Sequence, residues 1–137
     1  MQLAEAVKNF PVKQINTKPT NVSYSFWQLL EHIRITQADI IEFMENPKYK
    51  EIQWPNDYWP KPDAMATQSQ WKKTIAAIEK YMKTLNAMAG NPHVKLFDKI
   101  PHGTGQTYYR EFIVVGNHNS YHIGEFAILR QVMKLWP

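Results

Sequence analysis

Apolar residues recur at helical spacing in three stretches of the chain. Over residues 25–45, Phe26, Leu29, Leu30, Ile33, Ile40, Ile41 and Met44 share one side, and Glu31, Arg34, Glu42 and Glu45 take the other. That pattern predicts an amphipathic helix. Ser23 or Ser25 is placed to cap its start, and Asn46-Pro47 stops it. Over residues 67–89, Trp71, Ile75, Ile78, Met82 and Leu85 step by four, three, four and three. This heptad-like stripe suits lengthwise packing in a bundle, and Gly90-Asn91-Pro92 ends it. Residues 107–135 form the third long helix, with Thr107 as its cap. The β-like run from Phe112 to Val115 sits inside that helical period. A short helix within residues 1–9 is stopped by Phe10-Pro11.

Between these lie irregular connections at residues 11–24, 46–66 and 90–106. The second holds Pro47, Pro55, Pro60 and Pro62 beside Trp54, Tyr58 and Trp59. A free connection of that length is unusual in a compact domain, and three aromatics are costly to leave in water. It reads as a structured flap over a cavity. The prediction is an all-α, four-helix bundle forming one domain over residues 1–137. It has a short or truncated first helix and a long irregular loop between the second and third helices. Residues 1–9 are too few for a first helix matching the others. Either that helix is truncated or a partner subunit completes the bundle, so a homodimer is one expectation.

Composition narrows the class. The chain has 137 residues, 44% hydrophobic and 20% charged, the balance of a globular domain. It has no cysteine, which excludes disulfides, thiolate metal sites and a cysteine nucleophile. Its formal net charge of +4 is spread thinly, with Lys72-Lys73 the only adjacent basic pair. Nucleic-acid binding favours a concentrated basic stripe, so no nucleic-acid partner is expected. No apolar run approaches the roughly 20 residues that span a bilayer, so no membrane partner is expected. The start of the chain shows no export signal, and a cytoplasmic location is the expectation.

The chemistry concentrates in Gly116-Asn117-His118-Asn119-Ser120-Tyr121-His122-Ile123-Gly124-Glu125. His118 and His122 lie one helical turn apart on one face, a spacing at which two imidazoles grip one divalent ion. The same stripe holds Glu111, Val115, Glu125 and Leu129, flanked by Val114, Val132 and Met133. Its polar members thus fall on the face expected to be buried, and burying them costs several kcal/mol unless they are paired or ligated. His32, on the core side of the first long helix, is the candidate third ligand. Three neutral imidazoles leave a coordination position open for water or substrate, as catalytic sites do. The same histidines would also serve as a hydrogen-bonded polar network without metal.

The chain resembles the DinB/YfiT-like superfamily of metal-binding four-helix bundles. The resemblance is carried by Ser25 to Arg34, Trp54 to Pro60, Pro101 to Thr107 and Asn117 to Gly124, and covers most of the chain from residue 24 onward. It implies that His32, His118 and His122 bind a divalent metal ion, zinc or nickel in many members. It also implies a transferase activity, since characterised relatives include metal-dependent thiol S-transferases acting on a low-molecular-weight thiol. The family is named for DNA damage inducibility. The departure from its pattern is the first helix, usually full-length in relatives.

Glu125, one turn past His122, is the candidate catalytic residue, as an acceptor of a proton or as a partner that orients a ligand histidine. Pairing with Arg130 or a lysine is its competing role. Glu31 is expected at the surface, Glu111 in an ion pair, His93 exposed and His102 in a turn. Tyr121, Trp27, Trp54 and Trp59 are expected to pack in the core or anchor loops rather than wall a substrate pocket. The functions that remain are a metal-dependent thiol S-transferase acting on a small-molecule substrate, a metal-dependent hydrolase, a non-catalytic metal-binding stress-response protein, and a metal-free interaction module.

Overall fold

Four helices follow one another without an intervening strand: α1 (Leu3–Val7), α2 (Phe26–Glu45), α3 (Gln68–Ala89) and α4 (Tyr108–Val132). The computed structural model describes residues 1–137. Helix α2 starts where Ser25 accepts from the Gln28 amide while the Gln28 side chain accepts from the Ser25 amide. This reciprocal cap satisfies two otherwise free donors. Thr67 and Gln70 repeat it at α3, and Thr107 caps α4 through the Arg110 amide. Helix α4 ends three residues earlier than its periodicity predicts. The chain turns left-handed at Lys134 (φ 55°) and cannot continue the helix.

Helix α2 is the central helix, packed against both α3 and α4. Its apolar stripe buries Phe26, Leu29, Leu30, Ile33, Ile40 and Met44, each worth roughly 1.5–3 kcal/mol on burial. The α3 stripe behaves as predicted: Trp71, Ile78 and Leu85 are buried, with Ile75 and Met82 packed beside them. The α1 stub buries Leu3 and Ala6. Phe10 then runs into the core against Phe26, Trp71 and Phe126.

The apolar interior falls into two clusters. One is built around Phe10, Phe26, Trp71, Ile78 and Phe126, the other around Ile40, Met44, Leu85, Ile100 and Val115. In sequence, the polar residues His32, Thr36 and Gln37 on α2 and His118, Asn119 and His122 on α4 fall between the residues that supply these clusters. Gln37 is fully buried with neither amide atom partnered. A bundle stabilised only by apolar burial would not keep such residues inside.

Glu31 departs from its expected surface position. It is half-buried between α2 and α3, pairs with Arg34, and accepts from Thr74, whose hydroxyl accepts in turn from Trp27 Nε1. The long connection is the structured flap expected. Gln28 donates from α2 to the Lys61 carbonyl, and Asn16 clamps both backbone groups of Ala66. Trp54 stays mostly exposed, contrary to the expectation that all three flap aromatics anchor it.

Candidate metal centre

The rings of His32, His118 and His122 meet where α2 and α4 pack. One nitrogen from each lies within 4.8 Å of the others. Helical periodicity brings His118 and His122 onto the inner face of α4, and His32 faces them from α2 with its Nε2 2.9 Å from His118 Nε2. His32 is buried, and the other two are half-buried.

The second nitrogen of each ring decides which atom faces the cluster. His32 Nδ1 donates to the Tyr58 carbonyl (2.8 Å), and His122 Nδ1 donates to Glu125 Oε2 (2.7 Å). Both rings therefore turn Nε2 toward the cluster. This is the arrangement in which a carbonyl or carboxylate fixes a metal-binding histidine. His118 differs: its Nδ1 is buried with no partner. With His32 Nε2 an acceptor, His118 Nε2–H is the donor between them. Burial, reinforced by its two histidine neighbours, lowers the His118 pKa to about 4, and burial lowers that of His32 as well. Both are neutral at pH 7, the form that ligates.

The residues fit a divalent cation. Three imidazoles suit zinc or nickel, and two have their outer N–H already engaged. For bonds of ~2.0–2.1 Å at tetrahedral angles, ligand nitrogens sit roughly 3.3 Å apart. The 2.9 Å approach of His32 and His118 needs to open by only a few tenths of an ångström.

Around the trio the structure places groups that periodicity does not reveal. Trp59 stacks on His32, ring centroids 3.9 Å apart and planes within 4°. Tyr24, just before α2, donates to Glu125 Oε1. Both Glu125 oxygens are thereby occupied. Burial acts to raise its pKa, but the hydrogen bonds from His122 and Tyr24 outweigh that and hold the carboxyl below its ordinary value. Arg130 does not pair with it, and lies at the far end of α4 against Ala6 and Leu135.

One side of the trio opens into a cleft of about 570 Å³ that His118 shares with Thr36, Asp39, Tyr58, His102 and Glu111. His102, expected in a turn, holds its turn by donating to the Phe43 carbonyl and also lines this cleft. Glu111 is buried beside Arg110, and His93 is exposed, both as expected. Trp27 is a core residue, whereas Trp54 borders the cleft. Thr36 and Asp39 lie four and seven residues after His32, a polar stripe that marks this face of α2 in the sequence itself.

Tyr49 and Tyr58 both donate to Asp39, at 2.8 and 2.6 Å, and so tie the flap to α2. Burial first, then donation to that carboxylate, raises both phenol pKa values above the ordinary 10.0. In the unfolded chain both groups ionise near pH 10, while in the folded chain they keep their protons. Their contribution to stability is therefore intact below about pH 10 and declines as pH rises beyond it. An absorbance titration should find them ionising late, and Asp39→Asn should bring both back toward pH 10.

A helical bundle carrying a histidine trio beside an open cleft is the class of protein these features define. The chain belongs to the DinB superfamily, whose sequence pattern matches residues 1–126. Comparison with curated proteins and with solved structures finds no significant match.

Proposed function

We propose that this protein binds a divalent metal ion, zinc or nickel, through His32, His118 and His122, and uses it in thiol S-transfer. The observation that carries the reading is the convergence of three imidazoles at the edge of an open cleft. A bound ion would there be within reach of a small molecule. When bound, such an ion would supply Lewis-acid stabilisation of a thiolate at neutral pH. The thiolate sulfur attacks an electrophilic carbon, a C–S bond forms, the leaving group departs with its electron pair, and the thiol proton passes to solvent.

The chain's own residues do the positioning. Tyr58 and Glu125 hold the His32 and His122 rings so that Nε2 faces the cluster. Trp59 covers His32 and keeps water from that side. Glu125, with both oxygens engaged, is assigned to orienting His122 and acts through it.

Protein purified without chelator or nickel resin should contain close to one divalent ion per chain. It should conjugate a low-molecular-weight thiol to monochlorobimane, with release of chloride, at a rate that chelation abolishes. A metal-loaded protein that conjugates none of a panel of thiols overturns the transferase reading. Glu125→Gln should weaken metal affinity roughly 10- to 100-fold while preserving the rate at saturating metal. Loss of that rate instead would assign Glu125 to proton transfer.

A further inference from the structure

Two of the three cluster histidines have an acceptor on their outer nitrogen, the Tyr58 carbonyl for His32 and Glu125 for His122. His118 has none, and its Nδ1 is buried. Buried polar atoms are nearly always paired, and the unpaired ones of this chain are concentrated behind the trio. Of five such side-chain atoms, four belong to Gln37, His118 and Asn119.

Asn119 follows His118 on α4 and is 4% exposed. Its Nδ2 donates to Met82 Sδ on α3 at 3.1 Å, which holds the amide in place. Its Oδ1 is left buried and unpartnered. The side chain nevertheless reaches the His118 ring, and it favours a proton there, as a hydrogen-bond acceptor does.

The pair stays unbonded for a chemical reason. His118 Nε2–H donates toward His32 Nε2 at 2.9 Å, so the neutral ring carries no proton on Nδ1. Nδ1 and the amide oxygen are then both acceptors, and neither has a proton to share. With a cation at His118 Nε2 the roles reverse. An imidazole that ligates through Nε2 carries its proton on Nδ1, and that proton needs an acceptor. The ring's charge is unchanged, since Nε2 gives up one proton and Nδ1 takes up one.

We infer that Asn119 is a positioning residue of the metal centre, its Oδ1 accepting from His118 Nδ1 once a cation occupies Nε2. The inference rests on the metal-binding reading above. Asn119 thereby does for His118 what the Tyr58 carbonyl and Glu125 do for the other two rings. A mismatch in the metal-free chain becomes a hydrogen bond in the loaded one, so gaining the ligand also removes two unpaired buried atoms.

Titration of the metal-free whole chain with zinc, in competition with a chromophoric chelator, tests this. Asn119→Leu should weaken zinc binding roughly 10- to 100-fold. Asn119→Asp keeps an oxygen at the same place and should restore most of that loss. Gln37→Leu removes an equally buried, unpartnered amide from α2 and should leave the affinity at its wild-type value. Nitrogen–proton correlation spectra of the wild-type histidine rings should place the His118 proton on Nε2 without zinc and on Nδ1 with it, a result that needs no variant to fold. Zinc bound as tightly by Asn119→Leu as by wild type overturns the inference and leaves the metal centre standing. Equal losses in Asn119→Leu and Gln37→Leu do the same, as does a His118 proton that stays on Nε2 in the loaded protein. A wild-type chain that takes up no zinc overturns the metal centre itself, and this inference with it.

Discussion

His118→Leu should abolish stoichiometric metal binding and, in the same protein, leave the melting temperature of the metal-free form within a few degrees of wild type. With two imidazoles left, affinity for zinc or nickel should fall by more than ~100-fold, beyond the usual loss from removing a supporting hydrogen bond. The stability follows from two opposed changes at His118. Its Nδ1 is buried without a partner, and its pKa of about 4 records how poorly the site tolerates a charge there. Leucine removes that orphan atom but also the Nε2–H that reaches buried His32 Nε2, and each change is worth about 1–3 kcal/mol with opposite sign. His122→Ala should lose metal equally but melt lower, because Glu125 loses the donor on Oε2. Calorimetry in chelator, with elemental analysis of the same samples, separates the readings. If the trio were only a structural hydrogen-bond network, His118→Leu would melt lower by as much as His122→Ala. Metal retained at one per chain would remove His118 from the site.

The sequence displays one part of this centre and conceals another. The spacing of His118 and His122, and the place of His32 on the core side of its helix, follow from a 3.6-residue period acting over short range. Helix starts follow for the same reason, since Ser25, Thr67 and Thr107 cap through residues three positions on. Tyr24 and Glu125 are 101 residues apart, and no local rule connects them. The flap has no period, so the stacking of Trp59 on His32 depends wholly on how the chain folds back over α2. Helix α4 misleads for a different reason. Its apolar residues lie all round, so periodicity cannot tell a face turned to the core from one turned outward. Val114 and Val132, which the stripe predicts beside the buried face, are exposed. The burial of Glu111 and Arg130 settles the matter, and that is visible only in three dimensions.

Arg130→Ala should cost about 2–5 kcal/mol of folding free energy, as truncations that leave a cavity and buried unpaired carbonyls do. Arg130 is wholly buried with no carboxylate partner. Its Nη1 donates to the Ala6 carbonyl at 2.7 Å and its Nε to the Leu135 carbonyl at 3.2 Å. The guanidinium lies over Trp136, 3.9 Å from the ring centroid, and 5.3 Å from that of Phe10. The cation is thus held by carbonyl dipoles and aromatic faces near the negative end of the α4 dipole. It joins three pieces of the chain: the α1 stub, the end of α4 and the segment after it. A full-length first helix would hold itself by an apolar stripe, but five residues cannot. Alanine would leave a cavity and unpair the Ala6 and Leu135 carbonyls together. Arg130→Met restores most of the volume but neither hydrogen bond, so its cost should be intermediate. Arg130→Lys should also be destabilising, since a point charge cannot reach both carbonyls and stack on Trp136. Denaturant unfolding of the metal-free protein orders the three. If Arg130→Ala unfolds within about 1 kcal/mol of wild type, the N-terminal stub is held by Leu3, Ala6 and Phe10 alone.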